Sequence, residues 1–340
     1  MTAGSRGPVL EAALDAIAAE TGFSGVVRVD VGDRVEAARA YGFAHRGCEI
    51  PNTVDTRFAA ASGTKGLTAL AVVSLVDEGR LDLATPARAV LGDDLPLIRD
   101  DVTVEHLLAH RSGIGDYLDE EVEADLSSYL LTVPAHELAT TERYLAVLDG
   151  HETKFAPGTR FAYSNSGYVV LALIAERVSG VPFPDLVRRR VCEPAGMIDT
   201  EFLRSDALPA RTAVGYVEVD GEWRTNVFHL PVCGSGDGGI YTTAADMSAF
   251  WRAFFGGRIV STGWVGELVR PRSTSSSGSL RYGLGFWLDA STRGVVLIGS
   301  DAGVSFRSSY DPDADRAWTV ISNTTDGARP LARHLVERFG

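Results

Sequence analysis

Lys65 is the residue that most constrains this chain. Two lysines, Lys65 and Lys154, stand among 32 Lys and Arg residues, and Lys65 falls in the apolar stretch from Phe58 to Val76, three residues after Ser62. Leu67, Ala69, Leu70, Val72, Val73, Leu75 and Val76 predict a helix buried nearly all round, in which a charged amine is expensive unless paired or neutral. A guanidinium stays charged under ordinary conditions, whereas a desolvated lysine loses its proton readily. On a helix the Ser-x-x-Lys spacing puts hydroxyl and amine on one face, where the amine can deprotonate the serine for nucleophilic attack. Small residues before Ser62 (Ala59, Ala60, Ala61) and Gly63 after it suit a turn opening onto a cleft.

A second constellation lies in the run Pro157-Gly-Thr-Arg-Phe-Ala-Tyr-Ser-Asn-Ser-Gly-Tyr-Val-Val. Asn165 or Ser166 is placed to cap the helix expected over Tyr168 to Val178. Alternatively, the Tyr163 phenol relays protons between serine, amine and leaving group, while the Asn165 carboxamide holds the lysine and a substrate carbonyl.

Taken together, Ala60-Ala-Ser-Gly-Thr-Lys, Glu105-His-Leu-Leu-Ala-His-Arg-Ser-Gly-Ile, the Tyr163 run and Gly236-Asp-Gly-Gly-Ile-Tyr-Thr-Thr-Ala-Ala-Asp-Met resemble the penicillin-binding protein and serine β-lactamase superfamily. The resemblance is nearest to its class C β-lactamase, D,D-peptidase and family VIII esterase branch. It implies an α/β (α+β) fold of the β-lactamase/transpeptidase type, an antiparallel sheet flanked by helices beside a mainly helical domain. By the same resemblance Ser62 is the nucleophile, Lys65 its base and Tyr163 the proton relay.

The third motif departs from the family. Where relatives carry Lys-Thr-Gly or His-x-Gly, matching through Phe306 places Gly299, Ser300, Asp301 and Ala302, with no cation. Loss of that cation weakens recognition of a substrate carboxylate, and an acid there favours an amine, unless Asp301 turns outward to cap Gly303. The backbone N–H groups of Ser62 and Ala302 remain candidates for an oxyanion hole. Tyr117, Asp116 and Trp287 are expected to line the pocket.

The predicted function is an esterase or amidase/peptidase forming an acyl-enzyme on a small ester or amide. Acyl transfer, D,D-carboxypeptidase or β-lactamase activity, and a silent binding module are the alternatives. His106 and His110 have a spacing that can bind zinc, but no third ligand or following Glu accompanies them, so no metal or cofactor is expected. A net charge of −13 argues against nucleic acid and anionic membranes as partners. The absence of an apolar leader or long apolar run and of any paired cysteine motif points to the cytoplasm. Oligomeric state is left open.

Gly25 to Ala44 is expected to form a hairpin, and Val9 to Thr21 and Ala328 to Phe339 helices. Strands are expected over Arg281 to Leu288, Gly294 to Ile298, Val304 to Tyr310 and Trp318 to Ser322, and an exposed loop over Ser273 to Ser279. This organisation gives a discontinuous sheet domain, 1–80 with 247–340, and a mainly helical domain, 81–246, with the site at their seam.

Overall fold

The valine alternation after Gly25 and the alternation after Val304 belong to one sheet, although nearly 300 residues separate their ends. The computed structural model describes residues 6–120, 129–275 and 278–339. Helix α1 (Arg6–Thr21) precedes the hairpin β1 (Gly25–Val31) and β2 (Arg34–Tyr41), and α2 (Thr64–Asp77) follows. Next in chain order come α3 (Asn165–Ser179) and α4 (Ala244–Phe255), then β3 (Ser273–Thr274), β4 (Leu280–Tyr282) and β5 (Trp287–Asp289). The chain ends with β6 (Val295–Asp301), β7 (Val304–Asp311), β8 (Arg316–Ser322) and α5 (Ala328–Phe339).

The eight strands run antiparallel in the order β2-β1-β8-β7-β6-β5-β4-β3. The closing strand β8 pairs with the opening strand β1, from Gly25 against Ser322 to Val31 against Arg316. Because side chains alternate across a strand, neighbouring residues feed two cores. Val27, Val29, Trp318 and Val320 meet Leu10, Leu14, Leu331 and Leu335 of α1 and α5. Val26, Leu297, Phe306 and Ile321 face the other way, into the larger core that contains α2, α3 and α4. Each fully buried Val, Leu or Phe contributes about 1.5–3 kcal/mol, so both layers anchor the sheet.

The described residues between α2 and α4 carry less regular helix than their pattern suggested. Beside α3 and short turns they hold a hairpin, Tyr216–Val219 with Glu222–Thr225. The run expected as one strand over Arg281 to Leu288 is two, β4 and β5, broken by a turn in which Gly283 N–H donates to Phe286 O at 2.9 Å. Gly285 explains the break: its φ is +91°, and a Cβ there would lie 2.3 Å from the Ala69 Cβ on α2. Ser273 and Thr274, expected in a loop, instead pair with Tyr282 and Arg281 as the edge strand β3, while Ser276 and Ser277 lie outside the described residues. Among the described residues, no helix is long and apolar enough to cross a membrane.

Gly285→Ala is expected to lower stability by about 3 kcal/mol, combining backbone strain with overpacking against α2, and thermal denaturation measures it. An unchanged melting temperature would show that the turn relaxes freely.

Candidate active site

Ser62 sits in a single tight turn, Ala61–Gly63, directly before α2. Ala61 holds φ +43°, a left-handed conformation rare for a residue with a side chain, and it sets the angle at which Ser62 leaves the turn. One turn on, Lys65 is 2% exposed. Its Nζ lies 2.9 Å from Ser62 Oγ, 2.7 Å from Asn165 Oδ1 and 2.7 Å from the Asp237 carbonyl oxygen. Burial pulls the Lys65 pKa below the ordinary lysine value, against the opposing pull of Asp237, Glu120, Asp116 and Asp301. Two of the three Nζ contacts, the Asn165 and Asp237 carbonyl oxygens, can only accept. A neutral amine that donates its two hydrogens to them therefore turns its lone pair to Ser62 Oγ.

Asn165 is not the helix cap. Ser164 caps α3, its hydroxyl accepting the Gly167 N–H at 3.0 Å, which leaves the Asn165 carboxamide free for the site. Asn165 Nδ2 donates to Leu118 O (2.9 Å) and Glu120 Oε1 (3.0 Å), which fixes the oxygen toward Lys65. Asp116 anchors the same turn by accepting the N–H groups of Asn165 (2.8 Å) and Ser166 (2.9 Å). Burial raises its carboxyl pKa to about 6.

Tyr163 faces Ser62, its side-chain hydrogen-bond partner, and its ring centroid lies 4.8 Å from Lys65 Nζ. Burial pushes this phenol well above its usual range, so it stays protonated at neutral pH. Trp287 stacks on Tyr163 at 6.0 Å and His110 packs at 4.3 Å. His110 lies beyond the short helix Val104–Leu108 with φ +53°, so it does not share a helix face with His106. The two imidazoles serve different backbone groups: His106 Nδ1 accepts the Thr103 N–H, and His110 Nδ1 accepts the Ser164 N–H.

The opposite wall of the site is β6. Its pairing with β5 ends at Val296, so the edge from Leu297 to Asp301 is free of that neighbour. Gly299 lets this edge press on the nucleophile turn, for a Cβ there would lie 2.1 Å from Ala60 O and 3.0 Å from Ser62 N. A cavity of about 520 Å³ opens beside it, walled by Ser62, Glu120, Phe161, Tyr163, Trp287 and Ser300 among others. Asp301 turns toward the side cavity that it shares with Tyr117, Tyr144 and Asp237 rather than capping Gly303, whose N–H donates to Thr325 Oγ1. One Asp301 carboxylate oxygen accepts the N–H of Ala302 at 2.8 Å, so that N–H is already engaged.

Asp237, which the sequence did not single out beyond its glycine-rich run, supplies both the carbonyl on Lys65 and a buried carboxylate. That carboxylate accepts the Tyr117 hydroxyl at 2.5 Å, and burial raises its pKa. Tyr117, Tyr144, Asp237 and Asp301 share a small side cavity of about 60 Å³. Desolvation also raises Asp301, to about 7, helped by Asp237 and Glu120.

Raised carboxyl pKa values mean that the folded chain binds more protons than the unfolded chain between their two pKa values. Asp301 therefore costs stability as pH climbs from its unfolded range through about 7. Asp301→Asn is expected to raise the melting temperature at pH 8 and leave it unchanged at pH 4. Equal shifts at both pH values would argue against a buried, titrating carboxyl.

The Beta-lactamase family profile matches residues 10–338. The putative penicillin-binding protein PbpX of Bacillus subtilis (strain 168) is 26% identical over 91% of this chain and 73% of its own length. Esterase EstB of Burkholderia gladioli is 34% identical over 52% of this chain, and the match takes in 46% of the esterase. The crystal structure of a penicillin-binding protein from Bacillus halodurans superposes with a TM-score of 0.91 at 34% identity, covering 96% of this chain and 100% of that one. With its antiparallel sheet and the Ser62–Lys65 turn beside β6, the chain belongs to the Beta-lactamase family, whose members include serine hydrolases.

Proposed function

We propose that Ser62 is the nucleophile of an acyl-enzyme mechanism acting on small esters or amides, with Lys65 as its base. The observation that carries this reading is the placement of Lys65 Nζ, 2.9 Å from Ser62 Oγ and held by two carbonyl oxygens that cannot donate. Ser62 Oγ attacks the substrate carbonyl carbon while its proton moves to the Lys65 lone pair. The tetrahedral oxyanion collapses, the bond to the leaving alcohol or amine breaks, and Tyr163 passes a proton to that group. Water then attacks the acyl ester, returns a proton to Ser62 Oγ through the same pair, and releases the carboxylic acid.

For the oxyanion, Ser62 N–H is one donor. Asp301 and Val304 close a two-residue hairpin loop, so the alternation of an antiparallel ladder turns the Ser300 N–H outward, to the free edge of β6. We assign that group, rather than Ala302, as the second donor, because the Ala302 N–H is spent on Asp301.

The charge of the site sets the substrate class. Around Lys65 stand Asp116, Glu120, Asp237 and Asp301. Carboxylates there oppose an anionic substrate and favour one bearing an amine near the scissile carbonyl, so a penicillin is disfavoured. Esters or amides of amino-substituted acids are the class the site fits.

Three results test this. Incubation with p-nitrophenyl acetate should give an acetyl adduct on the intact protein that is absent from Ser62→Ala. Lys65→Arg should lose at least about 10³-fold in kcat/KM while keeping a cooperative melt, since a guanidinium cannot act as the base. Retained turnover in that variant would sink the mechanism. Because the base works only when neutral, the acylation rate should climb with pH along a limb lying below pH 10.5, set by the lowered Lys65 pKa.

A further inference from the structure

The outer face of the sheet carries a feature that the catalytic site does not use. Helix α5 packs over β7 and β8. Between α5 and β6 runs a groove of about 540 Å³ with Ile298, Ala332 and Val336 along it and Arg307, Arg329 and Arg333 on its walls. Three arginines on one groove are unexpected in a chain of net charge −13.

Their partners are unevenly shared. Arg329 pairs with Asp326 at 3.1 Å on the exposed rim. Neither Arg307 nor Arg333 has an ion pair or hydrogen bond among the described residues. Arg307, opposite Ile298 in the β6–β7 ladder, has a buried Nε with no acceptor, and burial pulls its pKa down. The acid that acts on it, Asp289, makes no ion pair with it, and the Asp289 Oδ1 accepts the Ser291 and Thr292 N–H groups at 2.8 Å each. A partly buried guanidinium without an acceptor is costly, and an anion satisfies it. The apolar side chains beside it suit an alkyl chain, while Glu337 on the same wall repels an anion from the far end.

We propose that this groove is a binding site for a small aliphatic carboxylate, with the anion on Arg307 and Arg333 and the chain along Ile298, Ala332 and Val336. Ile298 and Ser300 also wall the cavity that holds Ser62, so an occupant touches the strand that edges the catalytic cleft. Hydrolysis of an ester or amide releases a carboxylic acid, so a product can reach this groove. That link to product rests on the hydrolase reading; binding itself does not.

Titration calorimetry of octanoate into Ser62→Ala protein tests the site without turnover. Saturable one-to-one binding is expected, weakened at least tenfold, about 1.4 kcal/mol, by Arg307→Met and by Arg333→Glu. Arg333 is exposed on α5, so its variant keeps the fold even where loss of the half-buried Arg307 disturbs β7. Neutral octanamide should bind at least tenfold more weakly than octanoate. Octanamide binding as tightly as octanoate would overturn the proposal, as would octanoate affinity unchanged by Arg333→Glu in a folded protein. Binding that survives both arginine substitutions and is lost in Trp287→Ala would place the ligand in the catalytic cleft and also overturn it. No saturation at millimolar octanoate has the same consequence, whatever Ser62 does in the active enzyme.

Discussion

The rest of the site depends on an amine held in a buried place by oxygens that cannot give it a proton. Among the described residues no carboxylate is in direct hydrogen bond with Lys65; its fixed neighbours are a carboxamide oxygen and a backbone carbonyl. Dipoles of this kind hold an ammonium less firmly than an ion pair does, so desolvation dominates and the pKa falls. A direct Lys–Asp bridge would have held the proton and removed the base. The nearby acids act at longer range, which moderates the shift without reversing it.

That arrangement is assembled from distant parts of the chain. Asn165 is oriented by Leu118 and Glu120 and its backbone is anchored by Asp116, while the Asp237 carbonyl comes from the loop before α4. Gly299 then allows β6 to approach the Ser62 turn more closely than any side chain would permit. The site is therefore a consequence of the sheet being closed by strands from both ends, since β6 is held in place through β7 and β8 by β1.

What could be read in the sequence follows from how local each signal is. The grouping of Ser62, Lys65, Tyr163 and Asn165 in one place was legible because residue type and short spacing marked them out. The strands over β7 and β8 and the helix α5 were legible because burial on one face imposes a period. The break between β4 and β5 was not, since it comes from Gly285 meeting Ala69 on a helix more than 200 residues earlier. The cap of α3 falls on Ser164 rather than on Asn165 or Ser166 because all three are competent caps, and the contact with Lys65 takes Asn165 for the site. Asp237 was hidden for the same reason: its contribution to Lys65 is a backbone carbonyl, which any residue carries.

Asp301 sets the charge at the end of β6. On the β6 edge, where the resemblance to the family implies a cation, this chain presents a carboxyl beside Asp237 in a pocket with Tyr117 and Tyr144. Burial raises both carboxyls, Asp301 to about 7 and Asp237 in the same direction, and the charge of Asp237 adds to the rise at Asp301. A cationic group entering that pocket relieves both at once, lowering the carboxyl pKa values and gaining their attraction. An anionic group meets the opposite balance. Substrate charge and the protonation of this pair are thus one linked equilibrium, and selectivity for an amine should strengthen as pH rises through the Asp301 pKa.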